Sequence, residues 1–148
     1  MPVAVVSNAP RERLVEGLQR AGLAQYVTTV ISGDVVPRGR PDPEPYLYAT
    51  TALERPPLRC ALVGASNLSV EGAREVGMQC VAVASTLKMY ELTAADMVVR
   101  DLEGLTMQNF KQLFGNEEGR EPELEAEELS EPLTEQAVAV ADRDDKFL

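Results

Sequence analysis

The chain has no histidine and no tryptophan, only two cysteines, and aromatics at 5% of its 148 residues. Without His, the commonest general base and every Ser-His or Cys-His nucleophile system are excluded. Metal binding is left to carboxylates and to Cys60 and Cys80. Those two sit in separate apolar runs, CALVG and QCVAVA, and nothing near them has metal-ligand spacing. The runs predict two buried thiols on neighbouring strands. With three Phe and four Tyr, the core must rest on Val, Leu, Ala and Met. No stretch reaches the ~18 apolar residues of a membrane span. Met1-Pro2 lead straight into a strand-like run at Val3, so no signal or transit peptide is read.

Positive charge is also scarce. The formal net charge is −10, and it is uneven: residues 1–116 hold 12 acids and 11 bases, residues 117–148 hold 12 acids and 3 bases. A nearly neutral body with an acidic end argues against nucleic acid, because phosphate neutralisation needs surplus Lys and Arg. It argues equally against an anionic membrane surface.

What is present fits one domain, with 45% hydrophobic residues. Val3–Val6 is a short continuous apolar run, the mark of a buried parallel strand. Ser7-Asn8-Ala9-Pro10 reads as a loop, and Leu14, Val15, Leu18 and Ala21 have helical spacing over 10–22. Val27–Ile31 is the next strand. The Gly- and Pro-rich segment from Ser32 to Pro45 must be a loop. A helix over 45–53, a strand over 60–63, a helix over 67–77 and a strand over 79–84 follow. A short helix near 90–95, a short strand at 97–99 and an amphipathic helix over 105–114 close the series. Four strand–helix alternations predict an α/β, three-layer (Rossmannoid) parallel sheet with helices on both faces. Ligands in such sheets lie outside the carboxyl ends of the strands, here Ser7-Asn8, Ser32-Gly33-Asp34, Gly64-Ala65-Ser66-Asn67 and Ala84-Ser85-Thr86.

The expected division is a core over 1–115 and an acidic tail over 116–148. Low hydrophobicity with high charge predicts a disordered, solubilising tail; a specific acidic docking arm is the competing reading. Within it, Gln136–Ala141 has the composition of a short strand or groove-docking segment.

Three segments in order now resemble the motifs of the haloacid dehalogenase (HAD)-like hydrolases. Ser7-Asn8 resembles motif II, whose hydroxyl and adjacent N–H hold the transferring phosphoryl group. Arg38-Gly39-Arg40-Pro41-Asp42-Pro43 resembles the motif III stretch, with Arg40 in place of its Lys. Gly64-Ala65-Ser66-Asn67, running on to Ala73 and Gly77-Met78, resembles motif IV and its helix. The resemblance covers about residues 2–114. The segments 80–85, 90–92 and 98–100, with the acidic tail, are similar to a CbbY-like plant and algal group usually described as chloroplastic. Some of that group are described as phosphatases of the riboflavin-pathway intermediate aminophosphoribitylaminouracil.

The resemblance implies a phosphatase using an Asp nucleophile at a strand end, a second Asp two residues on as acid and base, and Mg²⁺. No Asp-x-Asp is read in that setting. Asp142 and Asp144 have the spacing but stand in the polar tail, where chance is the favoured reading. Gly64 and Ala65 replace the motif IV acids, so no metal ligand and no cofactor is expected, and no catalytic residue is assigned. Ser7, Asn8 and Arg40 are expected as vestigial phosphate contacts. The plainer readings are a helix cap for Ser7 and for Asn67, and a surface charge for Arg40.

The family's nucleophile strand belongs between the Val3 and Cys60 strands, and this chain starts after it. Two apolar edges would stay unpaired. Three completions are open: a strand from another polypeptide or an N-terminal segment, direct pairing of the two strands, or Gln136–Ala141 filling the gap. The first functional expectation is a catalytically inactive HAD-like domain serving as a binding or structural subunit, within a chloroplast assembly by resemblance. The alternative is the C-terminal part of a HAD small-molecule phosphatase whose nucleophile lies outside this chain. A dinucleotide-binding module ranks last, since Gly64-Ala65-Ser66-Asn67 is not G-x-G-x-x-G.

Overall fold

The computed structural model describes residues 1–115, except Pro37 and Arg40, and the strand at 137–141. Helices and strands alternate as the apolar periodicity requires: β1 (Val3–Val6), α1 (Arg11–Arg20), β2 (Thr29–Ile31), α2 (Glu44–Ala52), β3 (Cys60–Gly64), α3 (Asn67–Glu75), β4 (Gln79–Val83), β5 (Met97–Val99), α4 (Met107–Gly115) and β6 (Ala137–Ala141). The strands form one sheet in the order β2-β1-β6-β3-β4-β5. Every pairing is parallel.

The sheet separates two apolar layers by strand alternation. Ala4, Val6, Ile31, Cys60, Leu62, Cys80 and Ala82 meet Tyr46 and Ala49 of α2 and Val70 and Ala73 of α3. On the opposite face Val5 and Val30 meet Leu14 and Leu18 of α1. Ala61, Val63 and Val81 meet Leu113 and Phe114 of α4 on that same side. The result is the expected three-layer α/β architecture. Each fully buried Leu, such as Leu14 or Leu62, stabilises by about 1.5–3 kcal/mol relative to exposure.

Strand order is where the outcome exceeds the expectation. Of the three completions, β6 takes the gap, pairing Val3–Val6 with Val138–Ala141 on one side and Cys60–Val63 with Ala137–Val140 on the other. A strand from the expected tail is thus central to the sheet, because two apolar parallel edges need a partner and a small apolar run supplies one. The remaining tail residues, 116–136 and 142–148, lie outside the described residues. Some other elements are shorter than the periodicity implied, while β3 runs one residue further, to Gly64. The segment at 90–95 is a single 3₁₀ turn, Met89–Glu91. The first two residues read into the Val27–Ile31 strand lie outside β2.

Cys60 and Cys80 are free, buried and on adjacent strands, as expected. Burial pushes their thiols up to about 11 and about 12, with Asp96 raising Cys80 further. No described helix is long and apolar enough to cross a membrane.

Candidate functional site

The register aligns the carboxyl ends of the central strands. Val6 lies level with Ile31 on one side and with Ala141 on the other. Val140 lies level with Val63, and Gly64 with Ala82. Ser7 and the 64–67 segment therefore flank the end of β6, roughly 10 Å apart, two strand spacings.

Ser7 is half-buried at the end of β1. Its N–H donates to the Ile31 carbonyl (3.0 Å), which continues the ladder past the strand. Its Oγ accepts from the Ala9 N–H at 3.1 Å. That is a local turn bond, not the cap of α1 that Ser7 also suggested. The residue before α1 is Pro10, and it makes no side-chain cap. The free N–H of Arg11 donates instead to Asp34 Oδ2 at 2.6 Å. A carboxylate beside a helix N-terminus is favourable. Asp34 was read only as part of a strand-end loop, since its partner is 23 residues away. With Oγ accepting from Ala9, the Ser7 hydroxyl proton stays available to an incoming oxygen.

The Pro-rich loop closes over this end. A Cβ at Gly39 would stand 3.1 Å from Asn8 Nδ2, so the loop passes directly against the Asn8 side chain. Pro41 and Asp42 then run over Gly72 of α3, where a Cβ would meet the Pro41 carbonyl oxygen at 2.7 Å. Asp42 Oδ1 accepts from the Glu44 N–H at 2.9 Å and starts α2. Arg38 pairs loosely with Asp42 at 3.8 Å and is largely exposed. Arg40, the residue expected to carry the cation, lies outside the described residues, between two that are placed. Gly39 and Pro41 also line an open cleft of about 550 Å³ with Arg38, Asp42, Pro43 and Glu75. Ser7 and the 64–67 segment do not line it.

Ser66, not Asn67, caps α3: its Oγ accepts from the Ser69 N–H (3.4 Å) and lies 3.1 Å from Ser69 Oγ. Asn67 is the first helical residue, and its Nδ2 donates to the Glu91 carbonyl at 2.8 Å. It ties α3 to the 3₁₀ turn. Two buried oxygens near the strand ends, Ser32 Oγ and Asn67 Oδ1, have no hydrogen-bond partner among the described residues.

Among the described residues, the segment at 64–67 offers no carboxylate to a divalent cation. Mg²⁺ wants oxygen ligands, usually one or two carboxylates. Gly64 and Ala65 offer none, and no cluster of three His, Cys, Asp or Glu exists among the described residues. Asp142 and Asp144, set aside above as chance spacing, follow β6 directly in the sequence and lie outside the described residues.

The family of haloacid dehalogenase-like hydrolases is matched over residues 1–83, more than half of the chain. This chain belongs to that family. It is 41% identical to the chloroplastic 5-amino-6-(5-phospho-D-ribitylamino)uracil phosphatase of Arabidopsis thaliana, over 96% of this chain and 39% of that protein. It is 31% identical to the validoxylamine A 7′-phosphate phosphatase of Streptomyces hygroscopicus subsp. limoneus, over 69% of this chain and 48% of that one. The chain thus spans less than half the length of either relative. Among solved structures, a HAD phosphatase from Thermococcus onnurineus superposes with a TM-score of 0.60 at 30% identity, covering 68% of this chain and 46% of that one. A family IA HAD hydrolase from Entamoeba histolytica superposes at 0.69 with 17% identity, over 76% of this chain and 53% of that one, a likeness of fold.

Proposed function

We propose that this HAD-like chain is the phosphate-holding half of a small-molecule phosphatase, completed by a nucleophilic carboxylate from outside it. The observation carrying this reading is the 41% identity to the Arabidopsis phosphatase, extended over 96% of the chain. The proposed substrate class is a phosphorylated ribityl or related polyol, and the proposed location is the chloroplast, both following that relative.

The residues have a consistent division of labour. Ser7 Oγ–H donates to a phosphoryl oxygen while its lone pair stays with Ala9. Arg40, whose sequence neighbours Gly39 and Pro41 lie against Asn8 and Gly72, supplies the cation in this reading, and a guanidinium's planar fork suits two phosphoryl oxygens at once. Asn8 holds the loop rather than the substrate. Ser66 and Asn67 organise the start of α3. Since Gly64 and Ala65 hold no metal, no step is assigned to one.

The test is a chimera carrying the upstream portion of the Arabidopsis relative ahead of Met1. Release of inorganic phosphate from 5-amino-6-(5-phospho-D-ribitylamino)uracil by the chimera, and none by this chain alone, supports the reading. No release even with Gly64→Glu and Ala65→Asp sinks it. The absence of side-chain oxygens at Gly64 and Ala65 favours a second reading, a silent binding or structural subunit. In that case the unmodified chimera is inert and only the restored one turns over.

A further inference from the structure

Ser32, just past the end of β2, carries a hydroxyl that the fold leaves without use. The residue is 1% exposed, and its Oγ has no hydrogen-bond partner among the described residues. Burying a hydroxyl unpaired is destabilising, so its presence calls for a physical reason. The backbone around it is already engaged. The Ser32 carbonyl accepts from the Val35 and Val36 N–H groups, both at 3.1 Å. The N–H of Gly33 donates to the Ala9 carbonyl at 3.2 Å, and a Cβ at Gly33 would collide with the Asn8 carbonyl oxygen. A buried water makes about three hydrogen bonds, and these groups are taken.

Ser32 has a counterpart on the adjacent strand. β1 and β2 run level, Val6 beside Ile31, and the Ser7 N–H continues the ladder to the Ile31 carbonyl. Ser7 is therefore level with Ser32, roughly 4.8 Å away, one strand spacing. Val5 and Val30 face α1, while Val6 and Ile31 face α2 and α3. By alternation the two serines return to the α1 side together. Ser7 Oγ accepts from the Ala9 N–H, so its proton, like that of Ser32, is left to an outside acceptor. An O–H···O⁻ bond is roughly 2.5–2.7 Å long. One anionic oxygen, or two of one tetrahedral group, can thus accept from both serines. The Asp34 carboxylate nearby is occupied by the Arg11 N–H at 2.6 Å, and the Arg11 guanidinium, on the Val30 carbonyl at 3.1 Å, puts a cation on the same edge.

We propose that Ser32 is the second hydroxyl of an oxyanion seat, donating together with Ser7 to the oxygens of a phosphoryl group. Solvent does not reach Ser32, so the seat fills only with a group already held at the half-buried Ser7. The role of Ser7 rests on the phosphatase reading above; the unpaired hydroxyl of Ser32 does not.

The test is thermal unfolding of the full chain, titrated with sodium phosphate against sodium chloride of equal ionic strength. Without phosphate, Ser32→Ala melts higher by roughly 2–8 °C, because the variant sheds a buried group that nothing pairs. Thr50→Val is the contrast. Thr50 is also buried, but its Oγ1 donates to the Leu47 carbonyl at 3.0 Å, so that variant melts lower. The phosphate Kd, read from the rise in melting temperature, is about three- to tenfold weaker in Ser32→Ala, as in Ser7→Ala, and unchanged in Thr50→Val. A lower melting point for Ser32→Ala means that the hydroxyl already has a partner, such as an ordered water, and overturns the proposal. So does an unchanged Kd in Ser32→Ala where Ser7→Ala weakens it. If phosphate shifts no melting point, there is no seat and the proposal fails. The readout contains no turnover, so an inert chimera overturns the phosphatase reading and leaves a Ser32-dependent phosphate seat standing.

Discussion

Gly72 of α3 lies directly beneath Pro41, with the Pro41 carbonyl oxygen 2.7 Å and a Tyr46 ring carbon 2.9 Å from where a Cβ would be. The close approach lets the Pro-rich loop lie flat on the helix. Gly72→Ala is expected to cost about 1–3 kcal/mol through overpacking, although Ala favours the helix intrinsically. Denaturant unfolding measures this. A neutral or stabilising result would mean that the loop moves aside without cost.

Phosphate affinity tests the proposed contacts. Arg40→Ala is expected to weaken inorganic phosphate binding about tenfold or more, as loss of a hydrogen bond to a charged group implies. Ser7→Ala should weaken it less. Arg38→Ala, whose side chain is exposed and loosely paired with Asp42, should change it little. Isothermal calorimetry on the three variants distinguishes a phosphate site from general surface charge, for which Arg38 and Arg40 would be equivalent.

Ala65→Asp is expected to create Mg²⁺ sensitivity. The neighbouring Gly64 has space for a Cβ, at 3.4 Å from Ser69 Cβ, so Gly64→Glu adds a second carboxylate without a backbone clash. In the double variant the melting temperature should rise with Mg²⁺ by mass action. The unmodified chain should show no such rise, and identical curves for both would remove the case for a metal position there.

The cysteines predict an alkaline loss of stability. Desolvation holds Cys60 at about 11 and Cys80 at about 12, above the ordinary 9.0. Raised folded values mean that the contribution is complete below pH 9 and falls as pH climbs toward 11 and 12, because the unfolded chain releases its thiol protons first. Urea midpoints at pH 8 and pH 10.5 should differ, and Cys80→Ala should reduce the difference. Iodoacetamide should label neither thiol at pH 8 until urea is added.

Much of this was legible in the residues. Continuous apolar runs marked β1, β3 and β4 as buried parallel strands, and the spacing of Leu14 and Leu18 marked the inner face of α1. Cys60 and Cys80 were placed correctly on neighbouring strands because both lie within such runs. The caps were less legible. Ser66 and Asn67 are adjacent polar residues before one helix, and only backbone geometry shows that Ser66 caps while Asn67 reaches Glu91. Asp34 at the start of α1 was missed as a cap because it comes from another loop.

The sequence by itself determined most of the strands and helices of residues 1–115, the parallel α/β class, and the missing oxygens at Gly64 and Ala65, since local periodicity and side-chain chemistry are properties of the chain. Only the tertiary structure decided that β6 lies between β1 and β3. Ladder pairing joins backbone groups far apart in sequence and is nearly blind to side chains, so the choice among the three completions fell to whichever strand could satisfy both open edges.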